Sequence, residues 1–131
     1  MKALSIHPEY AMEILNGNKT EEYRTWTTAY RGDLLICNTA KKTRGAVAGY
    51  ALCVAKIVDI EKRYDGDQIC YAWKIAPFET GGSYWIEPLK VKGQRRLFNV
   101  DDVLIKPAPF SNPFSAVGEA WYQEKIIPLI H

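Results

Sequence analysis

The sequence is poor in the residues that build metal centres and disulfide frameworks. It has three cysteines, Cys37, Cys53 and Cys70, and two histidines, His7 and His131. An odd cysteine count without a C-x-x-C pair argues against a disulfide scaffold. Each cysteine lies in an apolar run, which marks a reduced core residue. The histidines stand at opposite ends of the chain, so neither a Cys/His metal site nor any cofactor is expected. No apolar run approaches the roughly 20 residues of a membrane-spanning helix. The opening MKALSI has one lysine and is too short and polar for a signal peptide. Together these point to a cytoplasmic protein that does not engage a membrane. No internal repeat, low-complexity tract or domain-splitting linker is present. Acidic residues are missing from two stretches, 34–58 and 90–96.

What remains is a chain of 131 residues, 47% hydrophobic, enough for one self-sufficient domain spanning 1–131. The formal net charge of +2 is too small to announce a nucleic-acid binder. Its distribution says more. Lys41, Lys42, Arg44 and Lys56 fall in the first acid-free stretch, and Lys90, Lys92, Arg95 and Arg96 in the second. The acids gather at Glu9, Glu13, Asp59 to Asp67, Asp101 and Asp102. A nearly neutral protein can thus carry a basic face that contacts phosphates.

The pattern predicts an α+β, mainly β domain. Lys2 to Ile6 reads as a strand. Pro8 then starts a helix with His7 as N-cap and Tyr10, Ala11, Ile14 and Leu15 as its apolar stripe. Asn16-Gly17-Asn18 stops it, because Gly17 takes the left-handed conformation readily. Leu34 to Cys37 is a strand covered on both faces. Tyr50 to Ile60 and Ile69 to Ile75 are further strands, joined through an Asp65-Gly66-Asp67 turn. Tyr84 to Val91 contains Pro88, which suits an edge or a bulge. Asn112-Pro113 is read as the start of a last helix reaching about Gln123, and Ile126 to Ile130 as an apolar tail docked on the domain. So many short strands usually protect their edges by closing up. The expected architecture is a small β-barrel with a helix at its mouth.

The segment NGNKTEEYRTW, Asn16 to Trp26, is the densest collection of functional groups. In an extended strand Glu22 and Arg24 share one face and Glu21 and Tyr23 the other, while Lys19 projects from the preceding turn. Arg24 suits a phosphate or carboxylate, Lys19 supplies a point charge or a base, and Glu22 orients Lys19 or accepts from a base amino group. A simple Glu22–Arg24 ion pair is the plainer alternative. Among the aromatics, Tyr23 and Tyr71 are candidates for base stacking, whereas Trp73 and Trp85 are assigned to the core.

LSIHPEYAMEILNGNKTEEYR resembles the opening signature of ASCH domains, members of the PUA-like superfamily. Gly17, Lys19, Glu22 and Arg24 match its Gly-x-Lys-x-x-Glu-x-Arg spacing. YAWKI at Tyr71 to Ile75 and VKGQRRLF at Val91 to Phe98 resemble later blocks, with Arg96 near where the family has a second glycine. The resemblance implies a PUA-like β-barrel with a cleft beside the first helix that binds RNA or nucleotides. The ligand-binding set is then Lys19, Glu22, Tyr23, Arg24, Lys41, Lys42, Arg44, Tyr71, Gln94, Arg95 and Arg96. Some small relatives are hydrolases that act on acetylcytidine or RNA. In the deacetylating group the motif lysine works with a threonine and a distant glutamate. Lys19 matches that lysine, and Glu22 stands at the threonine position. As a metal-independent hydrolase, the chain would use Lys19 and Glu22 as its catalytic pair. A third reading is a protein-interaction adaptor docking through Lys106 to Pro113 and the apolar tail, with no protein partner specified.

Overall fold

A computed structural model describes all of residues 1–131. Seven strands run in the order β1 (Lys2–Ile6), β2 (Glu21–Arg24), β3 (Gly32–Asn38), β4 (Tyr50–Asp65), β5 (Gln68–Ile75), β6 (Tyr84–Lys90) and β7 (Leu97–Asn99). Helix α1 (Pro8–Leu15) follows β1. Helix α2 (Ala116–Trp121) lies near the C-terminus and continues through a π-turn over Tyr122–Ile126. No helix is long and apolar enough to cross a membrane.

The sheet order is β2-β5-β4-β3-β1-β7, with β6 pairing β4 off this path. The sheet is not a closed barrel, which corrects the expected closure. Its end strands, β2 and β7, have four and three residues and do not pair with each other. Nor is it purely antiparallel. β1 and β3 run parallel, Lys2 opposite Leu34 through Ile6 opposite Asn38. A parallel pair needs a long crossover, and α1 with β2 lies within it.

β4 gives the sheet its curvature. Its first half lies between β3 and β6, and its second half pairs with β5. The register shifts once against each partner, leaving Val58 as the extra residue against β5. Such bulges bend a strand and increase its twist. Against β6 the shift falls between Ala51–Leu89 and Cys53–Trp85, so Pro88 sits in the irregular part, where its missing N–H does least harm. The other edge of β6 is covered by the proline-rich segment. Glu87 N–H donates to Lys106 O at 2.8 Å and Ala108 N–H to Trp85 O at 2.8 Å.

β3 is covered on both faces. Leu34 and Ile36 join the larger core with Ala11, Ile14 and Leu15 of α1, Trp73, Trp85 and Ile126. Leu35 and Cys37 join a smaller core with Ala3, Val54, Ile86 and Phe98. Helix α1 differs from its expected stripe at two positions: Met12 is buried, while Tyr10 is 51% exposed. The last helix begins later than expected. Asn112 accepts from Phe114 N–H, and Ser115 caps α2 through Gly118 N–H. Gly118 is required there, since a Cβ would stand 1.8 Å from Pro113 O. The apolar tail docks as expected, with Ile126 fully buried and Ile130 bridged to Val47.

Candidate functional site

The parallel pair ends at a cleft. The C-terminal residues of β1, Ser5 and Ile6, line it with His7, which stands just before α1, and with Thr39, just beyond β3. Thr39 N–H donates to Ile6 O at 3.0 Å and so extends the pairing to the cleft edge. Open α/β sheets commonly place ligands beyond the carboxyl ends of parallel strands, and this two-stranded element follows the same geometry. Tyr10 from α1 and Lys19, Glu22, Tyr23 and Arg24 complete the lining of a cavity of about 550 Å³.

The turn after α1 positions the charged residues. Asn16 N–H donates to Met12 O and Gly17 N–H to Ile14 O, both at 3.0 Å. Gly17 has φ +78°, which ends the helix and swings the chain towards β2. Asn18 and Lys19 N–H groups both donate to Glu13 O at 3.0 Å, closing the turn. β2 is an edge strand on β5, with Glu22 opposite Trp73 and Arg24 opposite Tyr71.

Glu22 is the only carboxylate in the cleft lining, and it is 8% exposed. Its Oε2 accepts from Arg24 Nη2 at 2.9 Å, and its Oε1 accepts from Tyr23 N–H at 3.2 Å. Lys19 Nζ lies 3.4 Å from the same Oε1. Arg24 Nη2 also donates to Ser5 O at 2.9 Å, tying β2 to the end of β1. Arg24 Nε and the Thr39 hydroxyl are shielded from solvent and have no hydrogen-bond partner. The Lys19 ammonium stands 4.6 Å from the ring centroid of Tyr23 and 5.7 Å from that of Tyr10, within cation–π range of both. Each of those tyrosines is 51% exposed as a residue. The cluster of Lys19, Arg24 and Glu22 carries one net positive charge beside two half-exposed tyrosines.

A second network fixes Tyr23 from behind. Arg63 on β4 grips Glu21 with two bonds of 2.9 and 2.8 Å, and Glu21 accepts from the Tyr23 hydroxyl at 2.9 Å. Bonding to Arg63 is the main reason the Glu21 carboxyl is held below the usual glutamate range. The bond to Glu21 in turn raises the Tyr23 phenol above its usual value.

Of the residues expected from sequence, Lys19, Glu22, Tyr23 and Arg24 meet in this cleft. Gln94 adjoins it, its N–H donating to Ser5 Oγ at 3.2 Å. Arg96 follows on the same loop, its guanidinium 5.0 Å from the Trp26 ring centroid. Arg96 adopts φ +53°, a left-handed conformation that suits the glycine of the family block. Arg95 is exposed beside it, and Lys41, Lys42 and Arg44 lie exposed on the loop that leaves Thr39. Tyr71 is not part of the cleft lining and packs against the larger core. Sequence reasoning missed Ser5, Ile6, Tyr10 and Thr39 and saw His7 only as a cap. The parallel pairing that joins them has no local sequence signal.

No group of three or more His, Cys, Asp or Glu side chains stands in a metal-holding arrangement. Burial alone pushes the Cys37 thiol up to about 12, and burial is also the main cause that raises Cys53 to about 12, which disfavours the reactive thiolate of both at neutral pH.

Comparison with known proteins places this geometry. No curated protein matches the chain. The structure resembles that of ASCH from Zymomonas mobilis, with a TM-score of 0.57 at 16% identity, covering 78% of this chain and 88% of the other. Two point-mutant forms of that protein superpose similarly, with TM-scores of 0.57 and 0.58 at 14% identity, each covering 77% of this chain and 88% and 90% of theirs. At such identities the likeness speaks for the fold. The ASCH domain profile matches residues 4–126, nearly the full length and including every residue that lines the cleft, so the chain belongs to the ASCH domain family, a family generally linked to RNA binding.

Proposed function

We propose that the protein binds RNA or a nucleotide in the cleft around Gly17, Lys19, Glu22 and Arg24. The observation that carries this reading is the meeting of two cations with the half-exposed Tyr10 and Tyr23 in one open cavity. Nucleotides combine an anion with a flat ring, and such a cavity serves both. The exposed basic residues Lys41, Lys42, Arg44, Arg95 and Arg96 act as an outer rim for further phosphates. The free cysteines suit a cytoplasmic setting. The test is titration with single-stranded RNA oligomers and mononucleotides over a range of salt. Affinity falls steeply as salt rises, and Lys19→Ala weakens binding about tenfold or more. Absence of binding at low salt to every RNA and nucleotide tried would sink the reading.

One observation favours a second reading, hydrolysis of a modified nucleoside or of RNA. The unpartnered Thr39 hydroxyl shares the cleft with Lys19 and Glu22, so a hydroxyl, an amine and a carboxylate line one cavity. This reading needs no metal. It predicts product release from acetylcytidine or RNA that survives a chelator and disappears in Lys19→Ala. Equal product from wild type and Lys19→Ala would end it.

A further inference from the structure

The start of α1 offers an anion in the cleft little help from the backbone. Pro8 has no N–H, and the N–H groups of Tyr10 and Ala11 both donate to His7 O, at 3.1 and 3.0 Å. Glu9 adds a carboxylate to the same first turn. A side chain stands at this end of the cavity instead. His7 lines the cleft and is exposed, and its imidazole makes no capping hydrogen bond to the helix. Nor does it join the ion pairs that engage Lys19, Glu22 and Arg24. The other charged groups on the elements around it are few. α1 has Glu9, exposed and outside the cavity lining, and the loop beyond Thr39 has Lys41 and Lys42. The Gln94 loop has Arg95 and Arg96. The phenols of Tyr10 and Tyr23 complete the titratable set of the lining.

We infer that His7 is a phosphate contact of the cleft and makes its affinity for the anion depend on pH. The inference rests on the nucleotide-binding reading above and deepens it by naming what regulates the site. Imidazole is the side chain whose charge ordinarily changes between about pH 5 and 8, while ammonium, guanidinium and carboxylate groups ordinarily keep theirs. With His7 neutral, Lys19, Arg24 and Glu22 leave the lining one net positive charge. With His7 protonated the lining carries two, and both ring nitrogens donate. Anion binding is therefore tighter on the acid side of that range. The coupling is reciprocal: an anion that prefers the imidazolium draws a proton onto it as it binds.

The experiment is calorimetric titration of the intact protein with a short oligouridylate that lacks a terminal phosphate, at constant ionic strength. Its diester phosphates keep their charge across the range, whereas a terminal phosphate takes up a proton near about pH 6. Affinity rises about two- to fivefold from about pH 8 to about pH 5.5, the scale of one partly exposed ion pair. At about pH 6.5, titrations in two buffers of different ionisation enthalpy show proton uptake on binding. His7→Gln removes both the pH dependence and the uptake, and His7→Lys removes them while holding the tighter binding across the range. His131→Gln, at the only other histidine, keeps both. Wild-type affinity that does not change with pH, or a dependence that survives in His7→Gln, overturns the role of His7 and leaves the nucleotide-binding reading standing. Failure of the oligouridylate to bind at every pH also overturns it, and the reading above falls with it only if the other RNAs and the mononucleotides fail as well.

Discussion

Glu22 illustrates how one side chain sets the chemistry of its surroundings. A carboxylate with 8% exposure is expensive unless it is paired, and here Arg24 and Lys19 pair it. Removing Arg24 exposes that cost. Arg24→Met is expected to lower the unfolding free energy by about 2–4 kcal/mol, measured by urea denaturation, whereas Glu22→Gln/Arg24→Met together recover part of the loss. Glu21 works differently, since its pairing is with Arg63 at the surface side of β2. Its folded pKa lies below the ordinary value of about 4.3. The linked stability is thus complete above that value and is lost as pH falls through the lowered folded pKa. Glu21→Gln removes this dependence, and acid unfolding followed by circular dichroism becomes shallower below about pH 4. The charged residues of the opening motif were legible in the sequence because spacing on a strand dictates which of them share a face. Tyr10 was not, because a tyrosine at helical spacing reads as core until its neighbours are known.

Among the elements, the turn between α1 and β2 matters most. Gly17 combines φ +78° with a close approach to Phe114, whose ring would lie 3.1 Å from an added Cβ. Gly17→Ala therefore strains the backbone and presses on the C-terminal segment, at a cost of about 1–2 kcal/mol in thermal or chemical unfolding. Because Lys19 follows two residues later, the same substitution is expected to weaken the proposed nucleotide binding, measured by the same titration, without altering any charge. Strand positions such as Leu34–Cys37 and the Gly66 turn were readable from apolar runs and turn residues. The parallel pairing of β1 with β3 was not, since register between distant strands is decided by how α1 packs across them. The same holds for α2, where Gly118 looks like a helix breaker until Pro113 O is seen to fill the space of a Cβ.

For the whole molecule, the absence of barrel closure leaves β2 as a short edge strand, and that edge is where the cleft opens. Closure would have buried the strand on which Glu22 and Arg24 stand. The thiols report on the integrity of the two cores. Cys37 and Cys53 are buried, one in each cluster, and Cys70 is half-buried on β5. Native protein treated with a thiol reagent near pH 8 should label at Cys70 well before the other two, and equal labelling of all three would mean that the cores open readily.

The C-terminal residues add a constraint of another kind. Gly45 N–H donates to His131 O at 2.6 Å, His131 N–H donates to Ala46 O at 3.0 Å, and Ile130 is bridged to Val47. The last two residues thus act as a latch on the loop that carries Lys41, Lys42 and Arg44. Deleting Ile130 and His131 should speed amide exchange at Gly45 and leave that at Tyr23 unchanged. If these cations form the proposed rim, a polyanion would then have to order them itself, at an entropic cost set by residues far from the cleft.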